Sequence, residues 1–199
     1  MNETRKPRFS RLFPLLAALA LAACSSQGAE PPLKGARIGG PFSLVDQDGR
    51  AVTDRNFAGK YRIVYFGFTH CPDVCPTDLA AIGSALRRFE QKDPVRAAHV
   101  QPLFITVDPA RDTPAVIKEY VAAFHPRIVG LTGTPAQVAR VEKEFAVYAA
   151  KGEAQPGGGY AVDHSRVVLL MGPDGAPIAL LPQDKGVDGI LAELDRWVK

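Results

Sequence analysis

Cys71 and Cys75, with three residues between them, are the only thiols downstream of residue 24. They sit where an apolar run, residues 61–68, gives way to a helical pattern opened by Pro76. A thiolate binds soft metal or exchanges disulfides only where its pKa and exposure permit, and the start of a helix favours the anion. Cys75-Pro76, Thr113-Pro114 and Thr134-Pro135 share one pattern, so Cys75 stands where a capping hydroxyl usually stands. Its pKa is therefore expected below that of a free cysteine, with Cys71 facing it from the preceding loop.

Two sulfurs alone suit redox exchange, whereas two thiolates plus an imidazole suit copper(I) or zinc. In a secreted chain a structural disulfide is the plainer alternative. The third group therefore decides the class, and His70, His99, His125 and His164 compete for the place. His99 and His125 read as surface residues of connections. His70 adjoins Cys71, but neighbouring side chains diverge, so it reads as a supporting group that tunes the thiolate. His164 ends a Gly-rich stretch and directly precedes an apolar strand, which this chain order runs beside the strand that carries the cysteines. Chain order singles it out while leaving open whether it ligates or is structural. Met171, within that strand, reads as core filling.

The elements that must position these residues are legible from hydrophobic period and turn chemistry. Residues 42–45 and 51–53 flank Asp46-Gln47-Asp48-Gly49-Arg50, which predicts a hairpin. Runs at 61–68 and 100–107 are continuous enough to be central strands covered on both faces. Leu79, Ile82, Leu86 and Phe89 mark the buried side of a helix over 76–91. Helices also start at Pro114 and Pro135, with a short strand at 128–131 between them. A hairpin of 166–171 and 178–181 around Gly172-Pro173-Asp174-Gly175 precedes a last helix over 187–198. The fold class predicted is α/β, a thioredoxin-like sandwich: a central mixed sheet flanked by helices, with an N-terminal hairpin. Residues 151–160, rich in glycine, read as a mobile surface loop delivering the chain to Asp163 and His164.

The first residues carry Arg5, Lys6, Arg8 and Arg11, followed by an apolar stretch over 12–23 and then Cys24. This reads as a secretory leader, too short for a spanning helix. Leu21-Ala22-Ala23-Cys24 resembles the lipobox of bacterial lipoproteins, which makes Cys24 a lipidated anchor and the other two cysteines a pair. The expected organisation is a leader at 1–23, a tether at 24–40 and one domain at 41–199, held at a membrane as a lipoprotein facing the periplasm. The formal charge of +3 belongs to the leader, because the remainder carries 20 basic and 20 acidic residues. That balance offers no basic face for nucleic acid.

GFTHCPDVCPTDL from Gly67, ITVDPARDTP from Ile105 and YAVDHS from Tyr160 together resemble the Sco/SenC family of copper proteins over nearly the whole domain. The resemblance implies a thioredoxin-like fold, copper held by Cys71, Cys75 and His164, and help in assembling the copper centre of cytochrome c oxidase. The implied partners are the oxidase subunit that bears that centre and an upstream periplasmic copper donor. Val162-Asp163-His164-Ser165 stands where thioredoxins usually place a cis-proline, and a ligand residue there favours metal over disulfide exchange. Asp163 either orients the imidazole, lends an oxygen to oxidised copper, or closes a turn on its own backbone. Asp112 and Thr113 read as turn and cap, and Asp108 and Arg111 as a docking edge. Two enzyme readings compete: a thiol-disulfide reductase needing only the cysteines, and a peroxide reductase drafting Thr69 and Arg111.

Overall fold

A turn closed by Asp46 starts the first hairpin. Its carboxylate accepts the amides of Asp48 and Arg50, both at 2.9 Å, and Gly49 takes the left-handed φ of +79° that the turn requires. Strands β1 (Ser43–Asp46) and β2 (Ala51–Thr53) pair antiparallel on either side of it. The computed structural model describes residues 29–154 and 159–199. The leader, Cys24 and the first residues of the expected tether lie outside the described residues.

Strand β3 (Tyr61–Gly67) is buried at every residue after Tyr61. The chain continues through helix α1 (Val74–Lys92), a one-turn α2 (Pro94–Ala97) and strand β4 (Val100–Thr106), parallel to β3. Helix α3 (Pro114–Ala122) begins under Thr113, whose hydroxyl accepts the Val116 amide at 3.4 Å. Strand β5 (Val129–Thr132) lies parallel to β4, and α4 (Pro135–Glu144) opens with a reciprocal capping box between Thr134 and Gln137. Next come β6 (Ala149–Ala154) and β7 (Tyr160–His164), then β8 (Val168–Met171), β9 (Pro177–Leu180) and the last helix α5 (Gly186–Trp197). The main sheet has seven strands in the order β2-β1-β5-β4-β3-β8-β9. Strand β3 lies between β4 and β8, so both its edges are paired, which is what its unbroken apolar run anticipates.

Within the expected loop over 151–160, residues 151–154 are strand in β6 and Tyr160 opens β7. Ala149, Ala150 and Lys151 pair with His164, Asp163 and Val162, and a register shift before Ala154 absorbs Gly152. Propensity missed this ribbon because strand pairing depends on the partner more than on the residue types. Two further expectations are corrected. The packed unit begins at Pro31 rather than near Pro41: the Leu33 amide donates to the Ile178 carbonyl at 3.0 Å, the Gly39 amide to that of Glu144 at 2.7 Å, and Leu33 and Ile38 pack on the core. His125, read as a surface residue, is 2 % exposed, with Nε2 3.3 Å from Glu90 on α1 and Nδ1 accepting the Arg127 amide at 3.2 Å. Met171 is buried in the core, as expected.

Candidate metal centre

Helix α1 starts two residues earlier than its proline suggests, and this changes what each cysteine does. Asp73 is the cap position and Cys75 already lies inside the first turn, fully buried. The sulfur that receives a helix-end amide belongs to Cys71, whose Sγ accepts the Cys75 N–H at 3.4 Å. Burial dominates at Cys75 and pushes its thiol up to about 12, against the lowering effects of the Phe68 backbone and the Tyr65 hydroxyl. The expected low pKa is thereby reversed, since desolvation of a sulfur packed in the core outweighs the pull of the helix end. Gly67 makes the packing possible: a Cβ there would stand 3.1 Å from Cys75 Sγ and 3.1 Å from the Phe104 ring. Both cysteines are free thiols, and Cys71 is partly exposed.

His164, the last residue of β7, brings Nε2 to 3.4 Å from Cys75 Sγ. Its Nδ1 lies 3.1 Å from the Ser165 carbonyl, which can only accept, so the proton sits on Nδ1 and Nε2 faces the sulfur with its lone pair. Burial also lowers the imidazole pKa, which favours the neutral ring that a metal ligand requires. The ring meets Phe68 edge-on, with centroids 5.9 Å apart. Among the described residues no three Cys, His, Asp or Glu side chains form a ready cage for an ion. The arrangement is instead two contacts that share Cys75.

The carboxylates around this centre serve it from behind. Asp78, 1 % exposed one turn along α1 from Cys75, accepts from Tyr65 Oη at 3.0 Å and from Arg166 Nε and Nη2 at 2.8 and 2.6 Å. It thereby ties the chain just after His164 to the helix that carries Cys75. Asp112 is no simple turn residue. It is fully buried and accepts from Thr69 N, Thr69 Oγ1 and Thr106 Oγ1 at 3.1, 2.6 and 2.6 Å, which pins the loop leading into Cys71. Neither role was visible in sequence, because each joins residues that are 40 or more positions apart in the chain. Asp108, also buried, pairs with Arg111 and accepts from Tyr160 Oη at 2.7 Å.

Two expected supporting residues stand elsewhere. His70 is half exposed, and its Nδ1 meets Thr69 Oγ1 at 3.1 Å and lies 3.7 Å from Asp112 Oδ1, rather than facing either sulfur. Asp163 is exposed on the face of β7 opposite to its neighbour, and the Ser165 carbonyl orients the imidazole in its place.

A mixed sheet with thiols at the head of its first long helix and a histidine beside them defines a thioredoxin-like protein. The thioredoxin domain of a Bacteroides vulgatus thiol-disulfide oxidoreductase shares this fold, with a TM-score of 0.58 at 16% identity over 81% of this chain and 96% of that one. The SCO1/SenC family model matches residues 30–199, and the chain belongs to that family. It is 42% identical over 168 residues to the mitochondrial SCO1 homolog 1 of Arabidopsis thaliana, covering 82% of this chain and 49% of the relative. Against mitochondrial SCO1 of Saccharomyces cerevisiae it is 43% identical over 166 residues, covering 81% and 55%. The crystal structure of Arabidopsis thaliana ScoI with copper bound matches with a TM-score of 0.74 at 41% identity, over 80% of this chain and 97% of that one. The chain thus spans about half the length of these curated relatives.

The expected address is corrected by the same comparisons. The curated relatives are mitochondrial proteins, not periplasm-facing lipoproteins. A basic, acid-poor leader does not separate bacterial export from organellar import by composition alone. Among the described residues no helix is long and apolar enough to cross a membrane.

Proposed function

We propose that this chain takes up copper on Cys71, Cys75 and His164 and hands it on during assembly of the copper centre of cytochrome c oxidase, with the subunit bearing that centre as its partner. The observation that carries the reading is the Nε2 lone pair of His164 facing Cys75 Sγ at 3.4 Å, with the other ring nitrogen committed to Ser165. Metal bonds of ~2.3 Å to sulfur and ~2.0 Å to nitrogen span 3.4 Å at an angle of about 104°, a little below the tetrahedral angle. Copper would displace the protons of both thiols into solvent, with Cys71 joining by giving up the amide it now accepts. A site of three ligands assembled on arrival also comes apart on departure, which suits cargo. The Arabidopsis and Bradyrhizobium japonicum neighbours were solved with copper bound, and BsSco, a more distant relative, is described as a member of the Sco family of cytochrome c oxidase assembly proteins.

A reductase acting on the thiols of the target is the second reading. It is favoured by the asymmetry of a partly exposed Cys71 above a buried Cys75, an attacking sulfur and its resolving partner. Replacing His164 by Ala separates the two. Copper(I) titration of the reduced variant should show affinity lowered on the order of 100-fold, with oxidase assembly lost. A variant that binds copper like the wild type overturns the carrier reading, and one that still supports assembly without binding copper favours the reductase.

A further inference from the structure

The ribbon of β6 and β7 shares no ladder with the seven-stranded sheet, and a lone pair of strands is marginal in water. Its position over the cysteines therefore depends on side-chain contacts. Tyr160 opens β7, four residues before His164. Its hydroxyl donates to Asp108 Oδ1 at 2.7 Å, and its ring centroid lies 3.7 Å from the Arg111 guanidinium carbon and 3.8 Å from Lys151 Nζ. Asp108 is a firm anchor: it lies two residues past the end of β4, is buried, and its amide donates to Thr106 Oγ1 at 2.8 Å. Arg111 pairs with Asp108 and lies 5.8 Å from the centre of the Phe68 ring, which in turn meets His164 edge-on. Tyr160, Arg111, Phe68 and His164 thus close a circuit between the ribbon and the end of β3.

We propose that Tyr160 is a positioning residue: by gripping Asp108 and Arg111 it sets how long His164 stays over Cys75, and hence how fast copper leaves. The proposal rests on the copper reading above, with His164 as the ligand that lets go. A ligand on an unanchored ribbon leaves its place more often than one built into the main sheet. A clamp of one hydrogen bond and a cation–π stack lies between these limits, and its loss shortens the residence of His164 on the order of tenfold. Buried Val162 and the Arg166–Asp78 pair hold the same segment independently, so the ribbon loosens without unfolding.

The test compares Tyr160→Ala and Tyr160→Phe with the wild type and with His164→Ala. Amide hydrogen exchange is followed in the metal-free protein, and copper(I) release is followed with a chromogenic copper(I) chelator. Tyr160→Ala should exchange its β7 amides and release copper on the order of tenfold faster, with the rest of the exchange map and the thermal midpoint unchanged. Tyr160→Phe keeps the stack, loses the Asp108 bond, and should fall between. Unchanged β7 exchange in Tyr160→Ala overturns the clamp, and faster exchange with unchanged copper release overturns its link to transfer. If His164→Ala alone releases copper like the wild type, the ligand reading fails instead, and exchange in the metal-free protein still judges the clamp.

Discussion

At Cys75, burial and the helix end act in opposite directions, and burial wins. The pull of a helix terminus on one charge is about 0.3–1 kcal/mol at an exposed position, whereas removing a thiolate from water costs several times that. The consequence is a pair of unequal thiols. With its pKa pushed up to about 12 by burial, Cys75 is a protonated thiol at pH 7. Alkylation of the reduced, metal-free protein at that pH should therefore stop at one adduct, on Cys71, while the Cys71→Ser variant labels far more slowly. Equal labelling of both cysteines, read by peptide mass spectrometry, would contradict the buried-thiol account. A reader of the sequence can place both cysteines and His164 by spacing and chain order. The sign of the Cys75 shift is out of reach, because it depends on how deeply the core buries the sulfur, against the lowering effects of Tyr65 and Phe68.

Among the elements, the connection from α3 to β5 shows how a loop is welded to the scaffold. His125 donates from Nε2 to Glu90 on α1 and accepts the Arg127 amide at Nδ1, an arrangement open only to the neutral ring. Burial holds its pKa below the ordinary 6.5, ahead of the opposing pull of Glu90. The unfolded chain therefore binds a proton more readily than the folded one, so the stability this site provides is complete above pH 6.5 and is lost as pH falls through the lowered folded value. Urea unfolding should show the midpoint dropping between pH 7 and pH 5. In His125→Gln that drop should shrink, by about 1.4 kcal/mol for each unit of depression in the wild type; a variant with the same pH profile would remove His125 as its source. Helix starts at Pro114 and Pro135 are plain in sequence, since a hydroxyl and a proline lie next to each other there. The β6–β7 ribbon is hidden, because Lys151 becomes strand only when Val162 lies opposite.

Across the whole molecule, the long central strands and the helix pair α1 and α5 form the core, and the chain before β1 adds to it. Leu33 and Ile38 are half buried against that core, so a chain started at Pro41 should lose about 2 kcal/mol relative to one started at Pro31. Chemical denaturation of the two truncations checks this, and equal stability would make the segment a mere tether. The site lies at the ends of β3 and β4 and at the head of α1, with His164 carried in from a ribbon outside the sheet. A rigid half of the proposed copper site thus faces a half carried on a ribbon outside the main sheet. Hydrophobic period, turn residues and capping pairs are local signals, and they suffice for the strands and helices of the core, while the family and the three residues proposed to hold copper are implied by the resemblance of three motifs. Only the folded chain decided that Cys71 rather than Cys75 receives the helix-end amide, that Asp78 and Asp112 brace the centre, and that Tyr160 clamps the ribbon, because each depends on desolvation or on partners brought together from distant parts of the chain.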